Sequence, residues 1–213
     1  MKLYGYWRST AAYRVRIALH LKGIRYESIS VHLVEKGGEQ HHDSYVEINP
    51  NHLVPTLTDG DFSLNQSLAI IDYLEATQLG LSLYPDNVQA RAKVQALALD
   101  IACEIHPLNN LRVQQYLATD LKLKNEAKVA WVEHWMMIGF NAIEKQLAQS
   151  AGCYCFQDQI TVADICLVAQ VYNANRFKVD MSAYPYINRV VNNCNKLAAF
   201  QLALPENQED AQI

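Results

Sequence analysis

No run of apolar residues in this 213-residue chain approaches the ~18 that a membrane span requires. The opening MKLYGYWRST has neither an apolar h-region nor a small-residue cleavage site, so it reads as a chain without a secretory signal. An excess of one charge is also missing. The 18 Lys and Arg stand against 22 Asp and Glu, a net charge of -4, with no long block of like sign. Nucleic acid and anionic membrane surfaces are therefore not the expected partners. Cysteines do not come in framework pairs. The five are Cys103, Cys153, Cys155, Cys166 and Cys194, an odd number, three of them inside helix-like patterns, and they read as reduced thiols of a cytoplasmic protein. Cys153-x-Cys155 is too tight for the usual zinc spacing and lacks a second pair, so no metal is expected. His41-His42-Asp43 reads as part of a solvated loop. Repeats and low-complexity tracts are absent. One further absence is local. A redox protein often places Trp-Cys-x-x-Cys at a strand-to-helix turn; in WRSTAAYRVR, Ser9 and Ala12 occupy the two slots, which excludes thiol-pair chemistry there.

What is present is a large core. Half of the residues are hydrophobic, enough for one large domain or two small ones. Lys2–Tyr6 is a strand, and Ala11–Lys22 has helical periodicity with Gly23 as its stop. Tyr26–Leu33 alternates as a strand, and EKGGEQHHD is a loop with little structure of its own. Asp59-Gly60 turns a hairpin between two short strands, and Ser67–Glu75 is a helix. That order, β-α-β-(α)-β-β-α, is an α/β domain over residues 1–80 with a mixed four-stranded sheet. The turn-rich stretch 81–87 is a linker. Helical spacing then dominates an all-α domain over 88–213, with helices expected at 88–105, 125–150, 161–177 and 186–204.

Several residues have the chemistry of a site. Ser9 and Thr10 open the first helix, where unpaired N–H groups and the helix dipole favour an anion, and either hydroxyl can cap the helix. Ser67 stands at the start of another helix, where it too can serve as cap or as anion contact. Arg8, Arg112 and Arg176 offer planar two-donor forks for carboxylates, while Arg14 and Arg16 suit a salt bridge or a subunit contact. Thr161-Val162-Ala163-Asp164 has the form of a capping box, and Thr161→Ala is expected to cost ~1 kcal/mol of stability.

The words WRSTAAYRVRIALHLKG, NPNHLVPTL, NQSLAIIDYLE, IHPLNNLR and NANRFKVDMSAYPYI occur in order along nearly the whole chain. In them the chain resembles the zeta-class glutathione transferases, the maleylacetoacetate isomerase family, whose bacterial maleylpyruvate isomerases share the same words. The resemblance implies a thioredoxin-like first domain followed by a helical one, glutathione as cofactor, and a homodimer. It also implies glutathione-dependent cis–trans isomerisation of a maleyl compound, maleylacetoacetate or maleylpyruvate, in aromatic catabolism. It assigns catalysis to Ser9, Thr10 and Arg8. Glutathione contacts are implied at Ser9, Gln40, Val54, Pro55 (through a cis bond), Gln66, Ser67, His106 and Asn110, and at Asp100 of a facing subunit. Substrate carboxylates fall to Arg8, Arg112 and Arg176. The family's Ser-Ser-Cys turn is here Ser9-Thr10-Ala11, so the sulfur must arrive with the cofactor. Competing readings are a conjugating transferase, a dehalogenase of small α-halo acids, and a non-catalytic glutathione-fold binding protein.

Overall fold

The computed structural model describes residues 1–212. It divides into one unit formed by Met1–Leu83 with the segment from Lys196 onward, and a second formed by Tyr84–Asn195. The expected boundary near residue 80 is close, but the last residues leave the helical domain and join the first unit.

In the first unit, β1 (Lys2–Gly5), β2 (Glu27–Ser30), β3 (Thr56–Asp59) and β4 (Phe62–Asn65) form a four-stranded sheet of order β2-β1-β3-β4. β1 and β2 are parallel; the other two pairings are antiparallel. α1 (Thr10–Leu21) makes the crossover from β1 to β2, and α3 (Ser67–Thr77) follows the hairpin. Leu3 and Leu57 of the sheet meet Val15 and Leu19 of α1 and Ile70 and Leu74 of α3 in one apolar cluster. Truncating any one of these Leu or Ile residues to Ala should cost about 2–5 kcal/mol. Gly23 ends α1 as the sequence suggests: its φ of 67° is open to glycine, and the Ile24 N–H closes back on the Leu19 carbonyl at 2.9 Å. The hairpin turn lies one residue later than expected, because Asp59 pairs with Phe62 and the turn is Gly60-Asp61.

The stretch expected to be an unstructured loop is ordered. Two 3-10 turns, Glu35–Gly37 and Glu39–His41, lead into α2 (Asp43–Val46). Side-chain bonding explains the order: His41 Nδ1 lies 3.0 Å from His52 Nδ1, and its other nitrogen lies 3.1 Å from Gln40 Nε2.

At the far end of α1, Lys22 Nζ sits 3.0 Å from Glu75 Oε2 and donates to the Leu81 carbonyl at 3.1 Å. Burial alone would raise the Glu75 carboxyl. Hydrogen bonds from Ser82, Lys22 and the Leu83 N–H, with the Lys22 charge, outweigh it and hold the carboxyl below its usual range.

The second unit is helical. α4 (Val88–Leu99) is capped by Asn87 and runs into a widened π-helical segment, Asp100–Ile105, then a 3-10 turn, His106–Asn109. The continuous helix expected over 88–105 is therefore interrupted. α5 (Leu111–Thr119), which sequence reading did not identify, is capped by Asn110. α6 (Asn125–Ser150), α7 (Val162–Arg176) and α8 (Pro185–Cys194) follow. Val162 to Val171 of α7 are buried without a break. At its start the expected capping box is present: the Asp164 carboxylate accepts from the Thr161 N–H at 2.8 Å and hydroxyl at 2.9 Å. The helix expected over 186–204 is two, α8 and, in the first unit, α9 (Ala198–Ala203).

Candidate active site

Four stretches of the first unit place the sequence candidates. At the start of α1, Ser9 is the N-cap: its Oγ accepts from the Ala12 N–H at 3.2 Å. An oxygen so engaged keeps its own proton to donate outward. Thr10, the first helical residue, is only 5 % exposed, so Ser9 is the hydroxyl better placed toward a ligand. The Arg8 guanidinium stacks over the Trp7 ring at 4.6 Å, and its enclosed Nε has no hydrogen-bond partner among the described residues.

The second stretch leads into β3. Val54-Pro55 is a cis peptide bond, as the resemblance implied. The preceding Leu53 carbonyl is held by the Tyr45 hydroxyl at 2.6 Å and the Asn49 amide at 2.8 Å. Asn49 also donates to Thr56 Oγ1 at 3.0 Å, and both it and Thr56 are buried. The word NPNHLVPTL thus encodes a knot of polar side chains ahead of Val54, whose backbone precedes the β3 ladder.

The third is the start of α3. The N-cap is Gln66, with φ of 69°, and Ser67 is the first helical residue. The reading of Ser67 as N-cap is therefore corrected. Its buried hydroxyl instead accepts from Arg14 Nη1 at 3.3 Å. Arg14, 2 % exposed, adds a cationic charge to a helix N-terminus already positive from its dipole. An anion is favoured there. The salt-bridge or subunit-contact role expected for Arg14 did not suggest it.

The fourth is Gln40, which is 5 % exposed although it stands in a polar loop. Its Nε2 donates to the Leu33 carbonyl at 3.3 Å, while its buried Oε1 has no partner among the described residues. Unsatisfied enclosed polar atoms of this kind, at Gln40 and Arg8, fit a polar ligand that completes them.

Behind these stretches lies a support that the sequence did not reveal. Asp210 Oδ2 accepts from the Trp7 N–H and from the Ser30 hydroxyl, each at 3.0 Å. Arg16, 3 % exposed, donates to the Trp7 carbonyl at 2.9 Å and to the Ala203 carbonyl at 3.1 Å. Arg16 is structural as expected, but through carbonyls. The C-terminal segment thereby ties down the turn that carries Arg8 and Ser9.

In the second unit, His106 opens the 3-10 turn and is half-buried, and Asn110 spends its side-chain oxygen on capping α5. Asp100 accepts from Gln146 Nε2 at 3.0 Å. Arg112, at the second position of α5, is exposed. Arg176 ends α7 with its guanidinium 5.4 Å from the Phe177 ring. Burial pushes the Cys155 and Cys194 thiols up, which leaves them poor nucleophiles.

A thioredoxin-like sheet with two positively polarised helix N-termini, a hydroxyl in place of a cysteine pair, and a following helical unit define a glutathione-transferase type of protein. Residues 3–80 match the family described as glutathione S-transferase, N-terminal domain. The probable maleylacetoacetate isomerase of Vibrio cholerae is 52 % identical over 98 % of this chain and 97 % of its own length. The maleylpyruvate isomerase of a Ralstonia species is 44 % identical over 99 % of this chain and all of its own. The crystal structure of maleylacetoacetate isomerase from Methylobacterium extorquens AM1, with bound malonate and GSH, superposes with a TM-score of 0.96 at 39 % identity, covering 100 % of both chains. The chain belongs to the zeta-class glutathione transferase family, the family of the maleylacetoacetate isomerases.

Proposed function

We propose that this protein is a glutathione-dependent cis–trans isomerase of a maleyl keto acid, acting in the cytoplasm as a homodimer in aromatic-compound breakdown. The observation that carries the reading is the Arg8-Ser9 pair at the start of α1. There a capping hydroxyl keeps a proton to donate, a cation stands beside it, and cysteine is absent.

Bound glutathione supplies the thiolate that adds to the conjugated double bond, permits rotation about it, and leaves unconsumed. The chain's own residues do the rest. Ser9 donates its hydroxyl to the sulfur, and the α1 N-terminus lowers the energy of negative charge there. Val54 offers backbone N–H and C=O to the cysteinyl backbone in the manner of an added strand. Gln66 and Ser67, with Arg14 behind them, receive the γ-glutamyl carboxylate, and Gln40 takes the glycyl end. Arg8 faces the enolate charge that develops on the substrate carbonyl. Arg112 and Arg176 are assigned to substrate carboxylates, and His106, Asn110 and a partner subunit's Asp100 complete the cofactor contacts. Similarity to relatives named for both maleylacetoacetate and maleylpyruvate supports the reaction class and leaves both compounds as substrates to be compared.

The test is isomerisation of maleylacetone and of maleylpyruvate, followed in the ultraviolet with and without glutathione. Turnover at constant total glutathione is expected, and the better substrate names the pathway. Consumption of glutathione without fumaryl product would overturn isomerisation in favour of conjugation.

A further inference from the structure

We propose that Asn173 and Asn109 form a buried amide relay that aims the Arg176 guanidinium, which makes them positioning residues for a substrate carboxylate. The proposal rests on the assignment of Arg176 to substrate given above.

Arg176 is the last residue of α7 and is exposed. A long guanidinium side chain in that position loses up to ~2 kcal/mol of rotamer freedom when a ligand fixes it, so advance orientation favours binding. Arg176 Nη1 donates to Asn173 Oδ1 at 3.0 Å, one helical turn earlier on the same face. Asn173 Nδ2 donates to Asn109 Oδ1 at 2.7 Å, and Asn109 Nδ2 donates to the Ile105 carbonyl at 2.6 Å. Asn173 and Asn109 are each only 4 % exposed.

The relay has one direction only. A guanidinium can only donate and a carbonyl can only accept, so the two ends dictate both amide orientations. Turning either amide over would break two bonds at once in a site sheltered from water. The far end is anchored. Ile105 closes the π-helical segment, where carbonyls lack the regular intrahelical partner. The turn that follows is held from α6 by Trp131 Nε1 on the Leu108 carbonyl at 2.7 Å. That turn continues directly into Asn110 and Arg112, so the relay sets Arg176 against the element that carries the second assigned arginine.

Steady-state kinetics at saturating glutathione test this with maleylpyruvate, which carries two carboxylates, and maleylacetone, which carries one. Arg176→Ala is expected to raise the maleylpyruvate KM on the order of tenfold to a hundredfold, as loss of a charged hydrogen-bonded contact does. Asn173→Ala is expected to raise it about fivefold, with little change in kcat or in calorimetric glutathione affinity, the size of one ordinary hydrogen bond. In the Arg176→Ala background Asn173→Ala should add nothing. Asn173→Asp keeps the acceptor for Arg176 and should recover part of the loss. If Asn173→Ala melts too early to assay, Asn109→Ala, which leaves the Arg176–Asn173 bond in place, should give the same KM-specific pattern at smaller size. An unchanged KM in Arg176→Ala would overturn the assignment of Arg176 itself. A raised KM there, with Asn173 and Asn109 variants silent or additive to it, would overturn the relay alone.

Discussion

The two units hold their functional groups still by opposite means. In the first, the groups are short: backbone N–H donors and the hydroxyls of Ser9 and Ser67, all at the starts of elements. Side chains from other parts of the unit brace them from behind, Arg14 at Ser67, Arg16 and Asp210 at Trp7, Tyr45 and Asn49 at Leu53. In the second, the groups are long arginines at or near helix ends, and at Arg176 short buried amides do the bracing. Charge follows the same inversion. Glu75, in the first unit, is held below its usual range by its donors, so its contribution is present above the ordinary carboxylate pKa and lost as pH falls through the lowered one. Burial raises Asp164, in the second unit, and outweighs the bonds from Cys155 and Thr161, so its ionised form burdens the fold at neutral pH and acid relieves it. At Ser67 and Trp7 a short group has a charge behind it; at Arg176 a charged group has a neutral support.

The strongest way to break this comparison is Ser9→Ala. The helix cap accounts for about 1 kcal/mol of stability. The donated hydrogen bond to a thiolate is worth more, so the isomerisation rate should fall about a hundredfold. Rate and thermal melt measured on the same preparation separate the two. A rate loss no larger than the cap alone explains would reduce Ser9 to a structural residue.

Thr161→Ala probes the corresponding cap of the second unit. Sequence alone suggests ~1 kcal/mol, but the hydroxyl donates to a carboxylate with no exposed surface, so about 2 kcal/mol is expected. The deficit should be full at neutral pH and shrink as pH falls through the raised Asp164 pKa, because a protonated carboxyl needs the donor less. Urea titrations at neutral and mildly acidic pH measure it, with kcat/KM unchanged at a permissive temperature.

These cases also divide what was legible in the sequence. The strands, the hairpin, the N-cap at Ser9 and the capping box at Thr161 depend on residues within a few positions of one another, and local pattern reports them. The support at Trp7 depends on Asp210, 203 positions away, and no local pattern signals such a pair. The loop that holds Gln40 reads as having little structure of its own, but its polar residues bond one another and bury Gln40. The break in the 88–105 helix escaped because a π-helical segment keeps an apolar rhythm close to that of an α-helix. The bond from Arg14 to Ser67 escapes local pattern because the two residues belong to different words, 53 positions apart.

Asp210→Ala sharpens the long-range half of the comparison. It removes an acceptor shared by the Trp7 N–H and the Ser30 hydroxyl. The turn that carries Arg8 and Ser9 should loosen, and calorimetric glutathione affinity should fall about fivefold, roughly the value of one hydrogen bond. An unchanged affinity would show that Arg16 alone braces the turn.

The smallest effect lies beside Arg176. Lys178 has φ of 58° where glycine is usual, and it forms the stop of α7, with the Val179 N–H closing on the Ala174 carbonyl at 3.0 Å. A non-glycine residue in that region costs about 1 kcal/mol, and glycine returns part of the gain as added freedom of the unfolded chain. Lys178→Gly should therefore stabilise the protein by roughly 0.5 kcal/mol, read as a small rise in Tm. If the amide relay alone aims Arg176, the KM for maleylpyruvate stays where it was. A raised KM with a raised Tm would mean that the stiff left-handed turn, and not only the relay behind it, keeps the guanidinium in place.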